Sequence, residues 1–195
     1  MTETRVSADG YPAGHNQTGA RPFGDGDTSM LHAWMYDTPE ENRAELDAIS
    51  NAGAFIVGRN MFGPIRDAWI GTEGDGGDPS RRTTPRVFVL THHEREPLDM
   101  ERGTTFCFVT DGVHAAFDEA RAVAGEGNAA IAGGATTVDQ YLAAGLVDEL
   151  RLHIAPVKAT WRRHADLDDV PPSRLEQASF RSSSVVTDVT YRIPR

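Results

Sequence analysis

Residues 129–157 read AAIAGGATTVDQYLAAGLVDELRLHIAPV, and this stretch decides the fold. Its first part, 129–132, is small and apolar and predicts a buried strand, which the pair Gly133-Gly134 then ends. The apolar residues that follow recur at helical spacing: Val138, Tyr141, Leu142 and Leu146. Further apolar residues then alternate with polar ones, as in a strand: Leu150, Leu152 and Ile154. The stretch therefore predicts a strand–helix–strand unit, whose crossover is expected to be right-handed.

The glycine pair is the part of this unit that is suited to binding. Thr136 or Thr137 is placed to cap the helix, and Gly145 stands where helices commonly end with a positive φ. Because glycine has no Cβ, a ligand can approach the backbone of Gly133-Gly134 closely. The following helix offers unpaired N–H groups and a partial positive charge, which suit a phosphate. The alternative interpretation is a tight strand-to-helix turn that binds nothing.

The composition limits the class of protein and its partners. With 195 residues, of which 39% are hydrophobic, the chain can form a single domain over 1–195. Its net charge is −10 and it has no basic block, which argues against nucleic acid and membrane surfaces as partners. Cys107 is the only cysteine, which favours a reducing compartment. Since the sequence shows no signal core and no membrane-spanning run, we expect a cytoplasmic protein.

The rest of the chain adds strands and helices around this unit. Three apolar runs predict further strands: 54–57, 87–90 and 105–109. A capping box at Thr38–Glu41 predicts a helix that reaches about Asn51. The last two segments of the chain, 174–181 and 184–193, predict an antiparallel hairpin.

Polar groups or glycines follow three of the predicted strands: Gly58-Arg59, Thr91-His92 and Gly133-Gly134. In open α/β sheets ligands bind outside the carboxyl ends of the strands, so these ends together could hold a dinucleotide. The positive groups nearby favour NADP over NAD, because they suit an extra phosphate: Arg59, His92, His93 and Arg95. Taken alone, Arg59 also fits an ordinary surface arginine. The two histidines point opposite ways in an extended segment, so no metal site is predicted.

Several segments resemble the dihydrofolate reductase superfamily, in particular bacterial proteins similar to the reductase domain of riboflavin biosynthesis. They are SADG (7–10), GRNMFGP (58–64), PRVFVLTHHEREP (85–97), TTFCFVTDGVHAAFDEAR (104–121) and AGGATTVDQYLAAGLVDELRLHIAPV (132–157). The resemblance implies an α/β fold with a mixed, mainly parallel sheet, flanking helices and a C-terminal antiparallel hairpin. It also implies NADPH bound along the sheet edge, and it implies a homodimer.

The same resemblance implies roles for individual residues. Ten of them would contact NADPH: Gly58, Arg59, Asn60, Thr91, His92, Gly133, Gly134, Ala135, Thr136 and Thr137. Asp9 would be catalytic and face the nicotinamide, although an Asp-Gly pair in a turn is often only a turn former. His15 is a weaker catalytic candidate. Four residues would lie near a small-molecule substrate: Tyr11, Asn16, Gln17 and Trp34.

One departure from the relatives leaves two functions open. Relatives usually follow the A-P-V segment with a glycine-serine-glycine loop, whereas this chain has KATWRRH at 158–164. The first hypothesis is an NADPH-dependent reductase that transfers hydride to a small, heterocyclic substrate. The second is a reductase fold that has lost reduction and acts as a ligand-binding protein or a cofactor-independent enzyme. An interaction module that dimerises through its sheet ranks third.

Overall fold

The computed structural model describes residues 1–14, 16, 18, 20–21, 23–26, 28–62, 86–100, 103–159 and 174–194. The strands are β1 (Thr2–Ser7), β2 (Ala54–Gly58), β3 (Arg86–Leu90), β4 (Leu98–Asp99), β5 (Thr105–Val109), β6 (Ala129–Gly133), β7 (Glu149–Ala155), β8 (Glu176–Ser182) and β9 (Thr187–Arg192). The helices are α1 (Ala33–Tyr36), α2 (Arg43–Ser50), α3 (Arg59–Phe62), α4 (Gly112–Ala124) and α5 (Ala135–Ala143), and a 3-10 helix (Ser29–Leu31) precedes α1.

The nine described strands form one mixed sheet in the order β4-β5-β3-β2-β6-β1-β7-β9-β8. The six strands from β5 to β7 run parallel, while β4, β9 and β8 are antiparallel to their neighbours. The predicted fold class, a mainly parallel mixed sheet with flanking helices and an antiparallel hairpin, is therefore confirmed. Because all six parallel strands end at one edge, the residues that follow them are brought to that edge.

β6, α5 and β7 form the unit that the glycine-containing stretch predicts, but its two strands are not neighbours. β1 lies between them and runs parallel to both, so the first strand of the chain is central to the sheet. Gly145 has a φ of +67°, as predicted. The predicted threonine cap is wrong, because Gly134 is the N-cap residue. The helix begins at Ala135, directly after the strand, so both threonines fall inside its first turn.

Helices α4 and α5 cover one face of the sheet and enclose its larger apolar core. The strand residues that contribute to this core alternate along β2 and β6: Ala54, Ile56, Ala129 and Ile131. Val138 and Tyr141 of α5 pack on the same cluster. Each large apolar side chain fully buried there contributes about 1.5–3 kcal/mol to folding. This core fixes α5, and with it the glycine pair, against the carboxyl edge.

The segment that contains the 3-10 helix, α1 and α2 differs from its prediction. The helix expected from Thr38 begins at Arg43, and the residues between form turns. The fully buried Asn42 side chain explains this, because its Nδ2 donates to the carbonyls of Trp34 at 3.1 Å and Thr38 at 2.9 Å. These bonds close a compact turn between α1 and α2 in place of a first helical turn.

The C-terminal hairpin of β8 and β9 is antiparallel, as predicted, and β9 extends the sheet beyond β7. The sequence does not predict β4, because a strand of two residues is too short to show a periodic pattern. Among the helices of the described residues, none has the length and apolar character needed to cross a membrane.

Candidate functional site

The carboxyl ends of β3, β2 and β6 are adjacent, because these three strands are neighbours in the sheet. Thr91 follows β3, Arg59 follows β2 and Gly134 follows β6. The register confirms this arrangement, since Gly58 is opposite Leu90 on one side and Val57 is opposite Gly133 on the other. The predicted phosphate-binding residues therefore share one edge of the molecule. Their role in binding remains a prediction.

Two glycines in this edge are required by close packing. A Cβ built on Gly58 would meet Thr137 Oγ1, and the backbone nitrogen of Gly134 lies 3.8 Å from the same point. Gly133 has a φ of +116°, and a Cβ there would lie 3.2 Å from Met61 Sδ. Glycine tolerates both the crowding and the positive φ. The ends of β2 and β6 are thus packed directly on the first turns of α5 and α3.

Gly134 differs from its two neighbouring glycines, because a Cβ built on it would meet nothing within 4 Å. The residue is exposed, and the peptide bond that joins it to Gly133 is cis. Its carbonyl accepts hydrogen bonds from Thr137 N at 2.9 Å and Val138 N at 3.1 Å, which starts α5. The open space beside Gly134 therefore lies at the N-terminus of a nine-residue helix, a position that favours anions.

Two arginines stack on aromatic rings at the same edge. Arg59 Cζ lies 5.8 Å from the centroid of the Phe62 ring. Arg95 Cζ lies 5.7 Å from the same ring and 5.0 Å from that of Phe108. A cation at this distance is attracted by the face of the ring, and a guanidinium is also a donor that recognises phosphate. The aromatic rings thus bring two cations to the ends of β2 and β3.

Thr91 and His92, which are both predicted to contact NADPH, have different surroundings. Thr91 is buried, and its Oγ1 accepts a hydrogen bond from His93 N at 3.1 Å. Its own N–H donates to Val109 O at 3.1 Å. The Thr91 side chain therefore shapes the turn, whereas His92 and His93 are exposed at the edge.

Asp9 and Tyr11 belong to a turn that follows β1, the strand next to β6. Ser7 holds this turn together, because its N–H donates to Tyr11 O at 3.0 Å and its Oγ accepts from Tyr11 N at 3.0 Å. Asp9 Oδ1 accepts hydrogen bonds from Ser7 Oγ at 2.7 Å and from Ala159 N at 2.8 Å. The sheet edge that carries Gly58, Gly133 and Gly134 is called the glycine edge below. The predicted catalytic carboxylate thus lies beside the glycine edge, and it is bound to the protein's own donors.

Asn16 and Trp34 are the remaining predicted substrate residues that the structure describes. Asn16 is exposed, has a φ of +54° and donates to Asp25 Oδ2 at 2.6 Å. Gln17 and His15 lie outside the described residues. Trp34 is fully buried, and its ring stacks on that of His153 with centroids 4.5 Å apart. Trp34 is thus enclosed by the protein, and its predicted contact with a substrate stays a prediction.

The sequence does not predict a buried group of charged side chains on β1, β7 and β9. Arg5 is opposite His153, and His153 is opposite Asp188, so the three lie in one row across the sheet. His153 Nδ1 lies 2.7 Å from Asp188 Oδ1. Burial raises the pKa of Glu3, which neighbouring positive charges partly offset, and burial lowers the pKa of Arg5. The alternation of polar and apolar residues in 149–155 is the signal that points to this face.

The profile of the RibD C-terminal domain matches residues 1–158. The chain belongs to this family. The match covers β1 to β7 and therefore includes every described residue of the glycine edge. No curated protein sequence matches the chain.

Solved structures similar to this member of the family share its fold at low sequence identity. A riboflavin biosynthesis protein from Shewanella sp. PV-4 has 16% identity and a TM-score of 0.64, with 100% of this chain and 98% of that chain covered. A pyrimidine reductase-like protein from Corynebacterium diphtheriae has 17% identity and a TM-score of 0.57, with coverage of 100% and 91%.

A third similar structure is dihydrofolate reductase from Enterococcus faecalis in complex with NADP(H) and RAB-propyl. Its identity is 12% and its TM-score is 0.56, with 100% of this chain and 95% of that chain covered. The family of this chain supports a reductase-type function, and the structures confirm the dihydrofolate-reductase-like fold.

Proposed function

We propose that this protein is an NADPH-dependent reductase of a small, heterocyclic substrate. The observation that carries the proposal is the open space beside Gly134, which lies at a helix N-terminus on the same sheet edge as two stacked arginines. Backbone N–H groups and guanidinium groups are both donors that recognise phosphate. Their combination suits a ligand with more than one phosphate, and NADPH carries a pyrophosphate and a 2′-phosphate.

We expect two groups of the described residues to bind different phosphates of NADPH. The backbone at Gly133-Gly134 and the first turn of α5 would hold the pyrophosphate, because Gly134 leaves room for close approach. Arg59 and Arg95 would hold the 2′-phosphate, because both guanidinium groups are prepositioned by the ring of Phe62. Once bound, NADPH supplies the hydride for reduction. The protein orients the two reactants and excludes water around them.

The substrate would lie on the side of the glycine edge nearer β1. That side carries the turn with Asp9 and Tyr11, and β1 is the neighbour of β6 in the sheet. The proteins of similar fold include one described as a riboflavin biosynthesis protein and one described as pyrimidine reductase-like. Both descriptions support a heterocyclic substrate for this member of the family.

Titration with NADPH tests the proposal directly. Purified protein is mixed with NADPH and, separately, with NADH, and binding is followed by cofactor fluorescence and by calorimetry. We expect micromolar affinity for NADPH and weaker affinity for NADH. Arg95→Met should reduce this difference, because it removes a cation stacked at 5.0 Å on Phe108. Arg86→Met is the matched control, since Arg86 is an exposed arginine at the opposite end of β3.

The same titration separates this proposal from the second hypothesis. No binding at millimolar NADPH would remove the reductase and leave a ligand-binding protein or a cofactor-independent enzyme. Equal affinity for NADPH and NADH would support dinucleotide binding but would contradict the proposed contact of Arg59 and Arg95 with the 2′-phosphate.

We also propose that two copies of the chain form a homodimer through β8. This strand lies at one edge of the sheet, and six of its seven residues are exposed. Phe180 of β8 is a large apolar side chain that is 61% exposed on this edge strand. Sedimentation of the wild type and of Phe180→Ser tests the proposal. A dimer that Phe180→Ser weakens supports it, whereas a wild-type monomer at micromolar concentration contradicts it.

A further inference from the structure

We propose that Asp9 is a positioning residue that clamps the end of β1 to the chain leaving β7. The carboxylate does not need to donate a proton for this role. The proposal deepens the proposed reductase function, because the clamp lies beside the glycine edge. Its first test does not depend on any cofactor.

The clamp consists of two hydrogen bonds between the same two segments. Ala8 N donates to Val157 O at 2.8 Å, just beyond the last regular pair of the two strands, Ser7 and Ala155. Ala159 N donates to Asp9 Oδ1 at 2.8 Å, so a side-chain oxygen makes the second link between the two segments. The strands themselves end at Ser7 and Ala155, where their regular pairing stops. Asp9 therefore extends the link between β1 and β7 beyond the strands.

The carboxylate is held in place from its own side as well. Ser7 Oγ donates to Asp9 Oδ1 at 2.7 Å, and the same hydroxyl accepts from Tyr11 N at 3.0 Å. Gly10 closes the turn, because its N–H donates to Ser7 O at 2.9 Å and its φ is +88°. A carboxylate oxygen that accepts from two donors in a closed turn is well suited to fixing a loop.

The residues that the clamp fixes lie at the end of the match to the RibD C-terminal domain, which covers residues 1–158. Lys158 lies between the two clamped steps, with Val157 O accepting on one side and Ala159 N donating on the other. Lys158 is exposed at the carboxyl edge of β7. Asp9 therefore helps to fix the position of Lys158. This is a structural reason for an aspartate at this position that is independent of proton transfer.

Amide hydrogen exchange at Ala159 tests the clamp, with Asp9→Asn and Asp9→Ala as a pair. The asparagine carbonyl can accept the same hydrogen bonds, whereas alanine cannot. We expect the Ala159 amide to exchange about tenfold to a hundredfold faster in Asp9→Ala than in the wild type, because a hydrogen bond to a charged acceptor is lost. Asp9→Asn should retain most of the protection. Asp111→Asn removes one charge at the same sheet edge and should leave Ala159 unchanged.

A second readout separates positioning from proton donation. NADPH-dependent turnover is measured as a function of pH with the heterocyclic substrate that the wild type reduces fastest. If Asp9 is a positioning residue, Asp9→Asn keeps turnover within about tenfold of the wild type and keeps the shape of the pH profile. Loss of turnover in Asp9→Asn as severe as in Asp9→Ala, with Ala159 still protected in both variants, would overturn the proposal.

The result of the exchange experiment can be interpreted whether or not the proposed function is correct. If NADPH does not bind but Ala159 loses protection only in Asp9→Ala, the clamp is confirmed and the reductase assignment fails. Equal protection of Ala159 in the wild type and Asp9→Ala refutes the clamp whatever NADPH does. The circular dichroism spectrum and the melting temperature of each variant show whether the sheet is intact.

Discussion

Replacing Gly134 by alanine isolates the open space at the start of α5. The φ of Gly134 is −69°, a value that any L residue adopts, and a Cβ there meets no protein atom within 4 Å. The new methyl group therefore costs the fold little, apart from a weaker N-cap, which amounts to about 1 kcal/mol or less. It does occupy the space through which a phosphate would approach the backbone.

Gly58→Ala is the matched contrast, because its methyl group would meet Thr137 Oγ1 and so crowds the protein itself. Overpacking of this kind costs about 1–3 kcal/mol. For a chain of this size each kcal/mol lowers the melting temperature by about 2–4 °C. We therefore expect Gly58→Ala to melt about 2–12 °C lower than the wild type. Gly134→Ala should melt within about 4 °C of the wild type.

The order of the two variants should be reversed when NADPH binding is measured, because Gly134→Ala should weaken binding more than Gly58→Ala. A backbone hydrogen bond to a charged group contributes about 1.5–3 kcal/mol, so the loss of one in Gly134→Ala weakens binding by about tenfold to a hundredfold. Calorimetric titration and a thermal melt on the same samples give both quantities. If Gly134→Ala binds NADPH as tightly as the wild type, the phosphate does not lie beside Gly134 and the reasoning fails.

Two further predictions concern charged side chains of β8 and β1. Arg181 donates to both carboxylate oxygens of Glu45, at 2.7 Å and 2.6 Å, so Arg181→Met should lower the free energy of unfolding by about 1 kcal/mol. Denaturant titration checks this against Arg174→Met, which removes an exposed arginine and should change little. Burial raises the pKa of Glu3 above 4.5, so its contribution to stability is present below that pH and is lost as pH rises through the folded value. Glu3→Gln should therefore gain stability relative to the wild type as pH rises above 4.5, and denaturant titrations across pH that show no such trend would contradict it.

Much of the sheet is predictable because its parallel strands are buried on both faces. The run 54–57 is continuous and apolar, and the structure places it in β2 between β3 and β6. The position of the candidate site follows from the same pattern, because parallel strands end together. Glycines at those ends are visible in the sequence, so the shared edge of Gly58 and Gly134 could be anticipated. The difference between these two glycines could not be predicted. Gly58 is crowded by Thr137, whereas Gly134 has open space beside it, and both facts depend on how α5 packs.

The start of α2 shows how a tertiary contact overrides a local signal. Thr38 and Glu41 have the spacing of a capping box, which in isolation favours a helix. In the folded protein Glu41 accepts instead from Ser184 N at 3.0 Å, in the turn of the C-terminal hairpin. Asn42 uses its side chain for the carbonyls of the preceding turn. Ser184 is distant in sequence from Glu41, and the Asn42 side chain is buried by the folded protein. Propensity alone therefore places this boundary wrongly.

The charged row across β1, β7 and β9 is the feature that sequence reasoning misses most completely. Glu3 and Arg5 alternate with smaller residues, which is the pattern of a strand with one solvent-facing side. The structure instead covers that side with the segment containing Trp34, and Glu3 is left 4% exposed. Within the described part of the chain, Glu3 Oε2, Arg5 Nε and His153 Nε2 have no hydrogen-bond partner. Buried polar atoms in this state cost stability, and their burial depends on a tertiary cover that the alternation within a single strand cannot predict.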